Sequence, residues 1–299
     1  MRDAVDFHGL SLRRKFRIKS ICRSPQAYGA DPIPINVMQP VTPMRAHCAG
    51  FAVALTCLMV AASPATAAGC SFEPQGEGRV AGIIDARTFR LSDGREVRLA
   101  GIEPVTVGMA DRTSALAAIV AGREVRLRGE DDAPDRYGRQ SAFVFLDGSD
   151  APVQSLLLAQ GEALVSSTVT DKDCASVLTT AEAAARQAGR GTWADPAAIK
   201  NAESPGDILA GIGRFTLVEG KVLSVRQAGA TTYLNFGRNW TRDFAVTISR
   251  RVASTFATAG IVPKSFENRR IRVRGWVESR GGPRIEVLRA GQIELLGGN

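Results

Sequence analysis

The chain has 299 residues, of which 44% are hydrophobic and 23% charged, and its formal net charge is +8 at pH 7. This length suffices for two domains with cores of their own, and the ordinary composition excludes a largely disordered chain. Both histidines, His8 and His47, lie before residue 68. The chain beyond that point therefore has no Ser-His or Cys-His nucleophile, and any metal ion there would be a hard cation held by oxygen, such as calcium.

The charge is distributed unevenly along the chain. Residues 1–67 hold 8 Lys+Arg and 3 Asp+Glu, residues 68–204 hold 15 and 20, and residues 205–299 hold 15 and 7. The basic field therefore belongs to the C-terminal part, which is the part we expect to attract a polyanion.

Residues 44–68 have the pattern of a secretory signal peptide. Arg45 provides the positive start, Ala49 to Ala62 is an apolar run, and Ala65-Thr66-Ala67 is a small-x-small cleavage site. The run is short for a stable membrane span. We therefore expect an exported protein, periplasmic or secreted, and interpret residues 1–43 as an over-extended start or a disordered segment.

Two of the five cysteines remain when the leader is removed. Cys22, Cys48 and Cys57 precede the mature chain, and Cys70 and Cys174 belong to it. An even pair in an oxidising compartment predicts a disulfide between the two. The alternative, a lipid anchor on Cys70, is weaker because the lipobox leucine is missing and the second cysteine would lose its partner.

The first predicted domain covers residues 69–200 and begins with a hairpin, Val80 to Pro104, whose Ser92 to Gly94 turn contains the Asp-Gly pair of a tight turn. Periodicity and glycine stops predict two further strands and three helices. The strands are 124–128 and 141–146, and the helices are 112–120, 153–159 and 175–188. Asp85, Arg98 and Glu103 lie on the hairpin, an acid-arginine-acid set that suits a cation with a phosphate or, equally, three solvated side chains.

The second predicted domain, residues 211–297, follows a polar linker at 201–210. Its pattern predicts five strands with a helix between the third and fourth, which is typical of a second OB-like barrel. The strands are 215–225, 231–236, 244–248, 270–276 and 284–288, and the helix is 252–259.

Basic and aromatic residues in this second domain favour single-strand nucleic-acid binding. The aromatic candidates are Tyr233, Phe236, Trp240 and Trp276. The alternative is that the alternating arginines 270, 272 and 274 form one solvated strand face while the aromatic residues fill the core.

Four motifs of the first domain, in order, resemble the staphylococcal nuclease (thermonuclease) family. They are Ile84 to Ile102, Asp135 to Ala142 (DRYGRQSA), Leu158 to Val165, and Ala181 to Trp193. The resemblance implies a mainly β, α+β fold: an OB-type five-stranded barrel with helices, here followed by the second OB-like barrel. It also implies cleavage of DNA and RNA with a bound calcium ion.

Carried over residue by residue, the resemblance implies a candidate site. Asp85 and Glu103 correspond to the metal carboxylates, Arg98 and Arg139 to the catalytic phosphate clamps, and Tyr137 to the aromatic residue that contacts substrate. Two arginines suit phosphoryl chemistry because a guanidinium can bind phosphate oxygens with two parallel hydrogen bonds.

The chain also departs from the family pattern. Arg87 replaces the second aspartate of the D-G-D-T turn, Val105 replaces the glutamate proposed as general base, and Ser167 and Val169 replace two tyrosines. The expectation is therefore a weak or degenerate calcium-dependent nuclease. The alternative is a non-catalytic envelope protein that uses two OB-type barrels for binding.

Overall fold

The computed structural model describes residues 69–105, 112–131 and 133–297. The predicted signal peptide at 44–68 and the segment 1–43 lie outside these described residues. No helix within the described ranges is long and apolar enough to cross a membrane.

The first part of the chain contains seven strands and three helices among the described residues. The strands are β1 (Glu73–Asp85), β2 (Thr88–Leu91), β3 (Glu96–Leu99), β4 (Ile102–Pro104), β5 (Glu124–Gly129), β6 (Arg139–Leu146) and β7 (Ala163–Val165), and the helices are α1 (Arg112–Val120), α2 (Val153–Gln160) and α3 (Lys172–Gln187). Five of these strands close into a barrel in the order β1-β2-β3-β6-β5. Only the β3–β6 pair of that barrel is parallel. The predicted mainly β barrel with helices is confirmed.

The hairpin predicted from Val80 to Pro104 is confirmed, with β2 and β3 as its paired strands. Thr88 lies opposite Arg98 and Phe89 opposite Val97. Gly94 has φ +92° in the turn, a conformation that glycine adopts at no steric cost. Because β-strand side chains alternate, Phe89 and Val97 enter the core while Arg98 remains on the outer face.

The disulfide predicted between Cys70 and Cys174 is present and joins the start of the barrel to α3 across 104 residues of sequence. Helix α3 begins three residues before the predicted start, because Asp171 caps it by accepting a hydrogen bond from the Cys174 N–H at 2.7 Å. Both cysteines pack in the barrel core with Leu178 of α3.

The second part of the chain is another β domain. Its strands are β8 (Ile199–Asn201), β9 (Phe215–Lys221), β10 (Ser224–Ala228), β11 (Thr231–Asn235), β12 (Ala245–Ser249), β13 (Arg270–Arg280), β14 (Gly282–Val287) and β15 (Ile293–Leu295), with helices α4 (Pro205–Leu209) and α5 (Arg250–Thr258). The predicted linker at 201–210 contains the end of β8 and the whole of α4, and Ile208 of that helix is fully buried.

The pairings of the second domain repeat the scheme of the first. The sheet runs β10-β11-β12-β14-β13-β9, with a single parallel pair, β12–β14, among these strands. Its first and last members, β10 and β9, are separated in sequence only by Val222 and Leu223. The long strand predicted at 215–225 is thus broken into two segments, one at each end of the sheet.

Two of the alternating arginines of β13 form buried ion pairs, which neither interpretation of the sequence predicted. Arg272 donates to Glu219 at 2.6 Å and to Glu294 at 2.7 Å, and it is buried. Arg274 is buried against the first domain. Arg272 and Arg274 are therefore neither a solvated face nor a nucleic-acid platform, because ion pairs from neighbouring elements cover them, whereas Arg270 is exposed.

A buried ion pair joins the two domains. Arg274 of β13 binds Glu182 of α3 with two parallel hydrogen bonds, at 3.0 and 2.8 Å, and the two side chains are 7% and 2% exposed. Arg274 also donates to the Val165 carbonyl oxygen at 3.0 Å, and Glu182 accepts from the Val165 N–H at 2.8 Å. Every partner in this network is satisfied from within the protein, which is the condition under which a buried ion pair is tolerated.

Replacing Arg274 by alanine should lower the free energy of unfolding by about 3–5 kcal/mol, because it leaves the buried Glu182 with only a longer ion pair, to Arg186 at 3.8 Å. Denaturant unfolding of the purified protein measures this. The matched control is Arg270→Ala, an exposed arginine of the same strand, whose effect should stay within about 0.5 kcal/mol. A loss below about 1 kcal/mol for Arg274→Ala would contradict the role given to the pair.

Candidate functional site

The barrel brings the predicted site residues to one end. Asp85 is the last residue of β1, and Arg98 lies on β3 beside the start of β6, where Arg139 is located. Glu103 is on β4. The charges of Glu103 and Arg139 both act on Arg98, and the charge of Asp85 acts on Arg139, so these side chains form one electrostatic cluster.

Arg139 is held by an aspartate of its own turn. Its Nε and Nη2 donate to Asp135 Oδ2 at 3.0 and 2.8 Å, and its backbone N–H donates to Asp135 Oδ1 at 3.1 Å. The hydrogen bond from the Arg139 side chain is the main reason that the pKa of Asp135 falls from 3.8 to about 2. The Nε–Nη2 edge of the Arg139 guanidinium is therefore occupied by Asp135, and the position of the side chain is fixed.

Arg98 lies next to this pair and is partly buried. Its Nη1 is 4.0 Å from Asp135 Oδ2, and its side chain is 30% exposed. Burial lowers the pKa of Arg98, and the positive charge of Arg87 lowers it further. Two positive charges thus face a partly exposed surface with one carboxylate between them, an arrangement that an added phosphate would stabilise.

Tyr137 is 65% exposed at the edge of this cluster. The guanidinium carbons of Arg136 and Arg139 lie 4.7 and 4.9 Å from the centre of its ring. Cation–π contact on this scale orients an exposed ring without burying it. The ring is thus exposed beside two arginines, and its contact with substrate stays a prediction.

Arg87 neutralises Glu103, a contact that the sequence analysis did not anticipate. Arg87 Nη1 lies 2.5 Å from Glu103 Oε2, and the two side chains are 14% and 12% exposed. The same Nη1 donates to the Ile102 carbonyl oxygen at 2.9 Å. Glu103 Oε2 is buried and has no hydrogen bond of good geometry within the described chain, so its stabilisation is the charge of Arg87. The replacement of an aspartate by Arg87 was the signal in the sequence.

The oxygen donors present do not fit a calcium ion, the cation that the resemblance implies. Calcium takes six to eight oxygen ligands. The Asp85 carboxylate accepts the Arg87 N–H at 2.8 Å, and Glu103 faces the Arg87 guanidinium. The described ranges contain no group of three or more His, Cys, Asp or Glu side chains arranged to hold a metal. A cation belonging to the protein already lies against the carboxylate that calcium would need.

Val105 is part of the contact between the two domains. It is 8% exposed and packs in an apolar cluster with Leu164, Trp193, Phe215 and Leu217, of which the last two belong to β9. A carboxylate at this position would be desolvated by those neighbours. The position that the family resemblance assigns to the general base therefore serves packing in this chain.

The carboxyl group of Asp135 should titrate near pH 2, measured by its carbon chemical shift, and Arg139→Ala should move that pKa back toward the ordinary value of about 3.9. A pKa lowered in the folded state stabilises the fold above pH about 3.9, and this stabilisation is lost as the pH falls toward 2. Arg79→Ala, an exposed residue in the middle of β1 that pairs with Glu124, is the control that should leave the Asp135 pKa unchanged. An Asp135 pKa near 4 in the unaltered protein would contradict the contact.

Residues 110–195 match the family model described as staphylococcal nuclease homologue. The matched range includes Tyr137 and Arg139, whereas Asp85, Arg98 and Glu103 precede it. A search of the curated proteins gave no match. Together with the five-stranded barrel and its helices, this match establishes that the chain contains a domain of the staphylococcal nuclease-like family.

Proposed function

We propose that the nuclease-like domain binds nucleic-acid phosphodiesters without using calcium to hydrolyse them. The observation that carries the proposal is the ion pair between Arg87 and Glu103. It removes one of the two predicted metal ligands, while Arg98, Arg139 and Tyr137 remain at a partly exposed surface.

The hydrogen-bonding groups of Arg98 and Arg139 support the proposal that the site binds phosphate. Arg139 uses Nε and Nη2 for Asp135, which leaves its Nη1 for another acceptor, and Arg98 Nη1 lies 4.0 Å from the same Asp135 oxygen. A phosphate group there would accept charge-assisted hydrogen bonds from both arginines, of which Arg139 is already held in place. The exposed ring of Tyr137 is placed to stack on an adjacent base.

The groups that hydrolysis would need, a general base and a calcium ion, are not supported by the residues at their predicted positions. A positioned general base contributes roughly 10²- to 10⁴-fold to rate, and the position assigned to it holds the buried, apolar Val105. Calcium-dependent hydrolysis, the activity that the family resemblance implies, would also require Glu103 to leave Arg87. The competing candidate function is therefore a nuclease whose site rearranges on binding calcium, and it makes opposite predictions about calcium.

We also propose that the protein works outside the cytoplasm, in the periplasm or as a secreted protein. The signal-peptide pattern at residues 44–68 supports this location. The disulfide between Cys70 and Cys174 supports it independently, because such bonds persist in oxidising compartments.

Arg98→Ala and Arg139→Ala should each weaken binding of a short single-stranded oligonucleotide by about 10-fold or more, because each removes a hydrogen-bond donor to a charged group. Asp135→Asn should preserve or raise affinity, since it removes the competing negative charge. Calorimetric titration measures all three. Arg79→Ala, which removes an exposed arginine of β1, is the control. Equal losses for Arg79→Ala and Arg139→Ala would contradict the proposal.

Arg87→Asp should give the protein a calcium response that we expect the unaltered protein to lack. The change places a third carboxylate beside Asp85 and Glu103 and removes the cation that neutralises them. The variant should melt lower than the unaltered protein in chelator and gain several degrees when calcium is added, because a ligand that binds only the folded state stabilises it. Arg87→Ala, which removes the cation without adding a ligand, should show a much smaller gain. A calcium-dependent rise in Tm of the unaltered protein, equal to that of the variant, would contradict the argument.

A further inference from the structure

We propose that a groove on the second β domain binds single-stranded nucleic acid, independently of the arginine site on the nuclease-like domain. The groove lies across β10, β11 and the start of β12, and it is closed at one end by the β13–β14 turn. Its volume is about 1060 Å³, enough for several nucleotides rather than a single small ion.

The walls of the groove are strongly basic. Arg226, Arg238, Arg280 and Arg284 line it, and Asp243 is the one acidic residue among its described lining. Arg226, Arg238 and Arg280 are exposed. Four guanidinium groups around one open groove produce a positive potential that attracts a polyanion.

Two of the charged groups in the groove have partners that fix them in place. Arg284 donates from Nη2 to Glu278 at 3.0 Å, while its buried Nε has no hydrogen-bond acceptor in the described part of the chain. The Asp243 carboxylate accepts from the Asn239 N–H at 2.8 Å and is occupied in holding its own loop. The groove therefore keeps a net positive field.

Two aromatic rings stand among the arginines. Tyr233 lies on β11, in the floor of the groove, and Trp240 lies on the loop above it with 76% of its surface exposed. A tryptophan this exposed leaves a large apolar surface in water, so it marks a contact surface more often than a structural position. Stacking of bases on such rings is worth more to a single strand than to a duplex, whose bases already stack on one another.

The loop that carries Trp240 is held in position. Asn239 Oδ1 accepts from the N–H and the hydroxyl of Thr241 at 3.1 and 2.6 Å. The loop also lies so close to the β13–β14 turn that a Cβ added at Gly282 would be 2.6 Å from the Asp243 carbonyl oxygen. A ligand would therefore lose little free energy in ordering the loop on binding.

The arginines and rings together select the kind of polyanion. A sulfated polysaccharide supplies charge but no flat π surface, and a duplex supplies phosphates with its bases inaccessible. Only a single strand would use Arg226 and Arg238 for its backbone and Tyr233 and Trp240 for its bases at the same time. Of the four aromatic residues predicted from the sequence, Tyr233 and Trp240 line the groove, Phe236 is buried, and Trp276 lies outside the groove, edge-on against Phe215.

The test is the affinity of the full protein for a fluorescent oligothymidylate of about 15 nucleotides, measured by anisotropy over a range of salt concentrations. Trp240→Ala should weaken binding about 5- to 100-fold, because the indole ring no longer stacks on a base. Removing both Arg226 and Arg238 should reduce the slope of log affinity against log salt by about 0.7 for each phosphate that the protein no longer neutralises. A duplex of the same length should bind more weakly than the single strand.

Arg251→Ala is the matched control, because it removes an exposed arginine from α5 of the same domain but away from the groove. It should leave affinity and salt slope unchanged. Equal losses of affinity for Arg251→Ala and Arg226→Ala, or tighter binding of the duplex, would overturn the proposal in favour of nonspecific electrostatic attraction to nucleic acid. Full competition by heparin together with unaltered binding by Trp240→Ala would overturn it in favour of a sulfated polysaccharide. Every measurement is repeated in a background that carries Arg98→Ala and Arg139→Ala, so that the oligothymidylate binds only the groove and the outcome is separate from that of the phosphodiester site.

Discussion

The buried contact between Glu182 and Arg274 is the constraint on which the rest of the structure depends. Glu182 binds the Val165 N–H and Arg274 binds the Val165 carbonyl oxygen, so this one pair fixes strand β7 from both domains. Strand β7 pairs with β4, in which Glu103 lies opposite Leu164. The second domain thus holds the strand that positions Glu103 against Arg87.

The same arrangement explains why the site of the first domain differs from the one that its family resemblance implies. Val105, one residue beyond β4, is buried against Phe215 and Leu217 of the second domain. An apolar residue stabilises that contact, whereas a carboxylate there would be buried without a partner. Arg87 and Glu103 then balance each other's charge at the end of the barrel. The two arginines that we propose bind phosphate, on β3 and at the start of β6, are retained beside both changes, although burial and the positive charge of Arg87 lower the pKa of Arg98.

The sequence predicted the parts of the fold that depend on local pattern. The hairpin at Val80 to Pro104 follows from strict alternation and an Asp-Gly turn, and the disulfide from the two cysteines that follow the predicted leader. The break after Lys221 was not predictable, because the apolar residues Val222 and Leu223 continue the strand pattern and only the sheet pairing separates β9 from β10.

The partners of Arg87, Arg272 and Arg274 could not be predicted from the sequence, because they come from segments that are distant along the chain. Alternation placed Arg272 and Arg274 on one face of a strand, but only the structure brings Glu219, Glu294 and Glu182 onto that face. Arg87 was visible as a departure from a motif, yet its pairing with Glu103 depends on where β4 lies beside the barrel. The spacing of charged residues in the sequence thus predicts which side of a strand they occupy. Whether they form ion pairs or remain exposed depends on the elements that pack against that side.

Digestion of denatured DNA by the purified protein, in calcium and in chelator, tests the central claim most directly. If Arg87 replaces the metal, the rate of cleavage should be the same in both conditions and should not change in Arg139→Ala, because any residual cleavage then comes from another source. Cleavage that calcium stimulates, and that both Asp85→Ala and Arg139→Ala abolish, would contradict the account and restore the calcium-dependent nuclease.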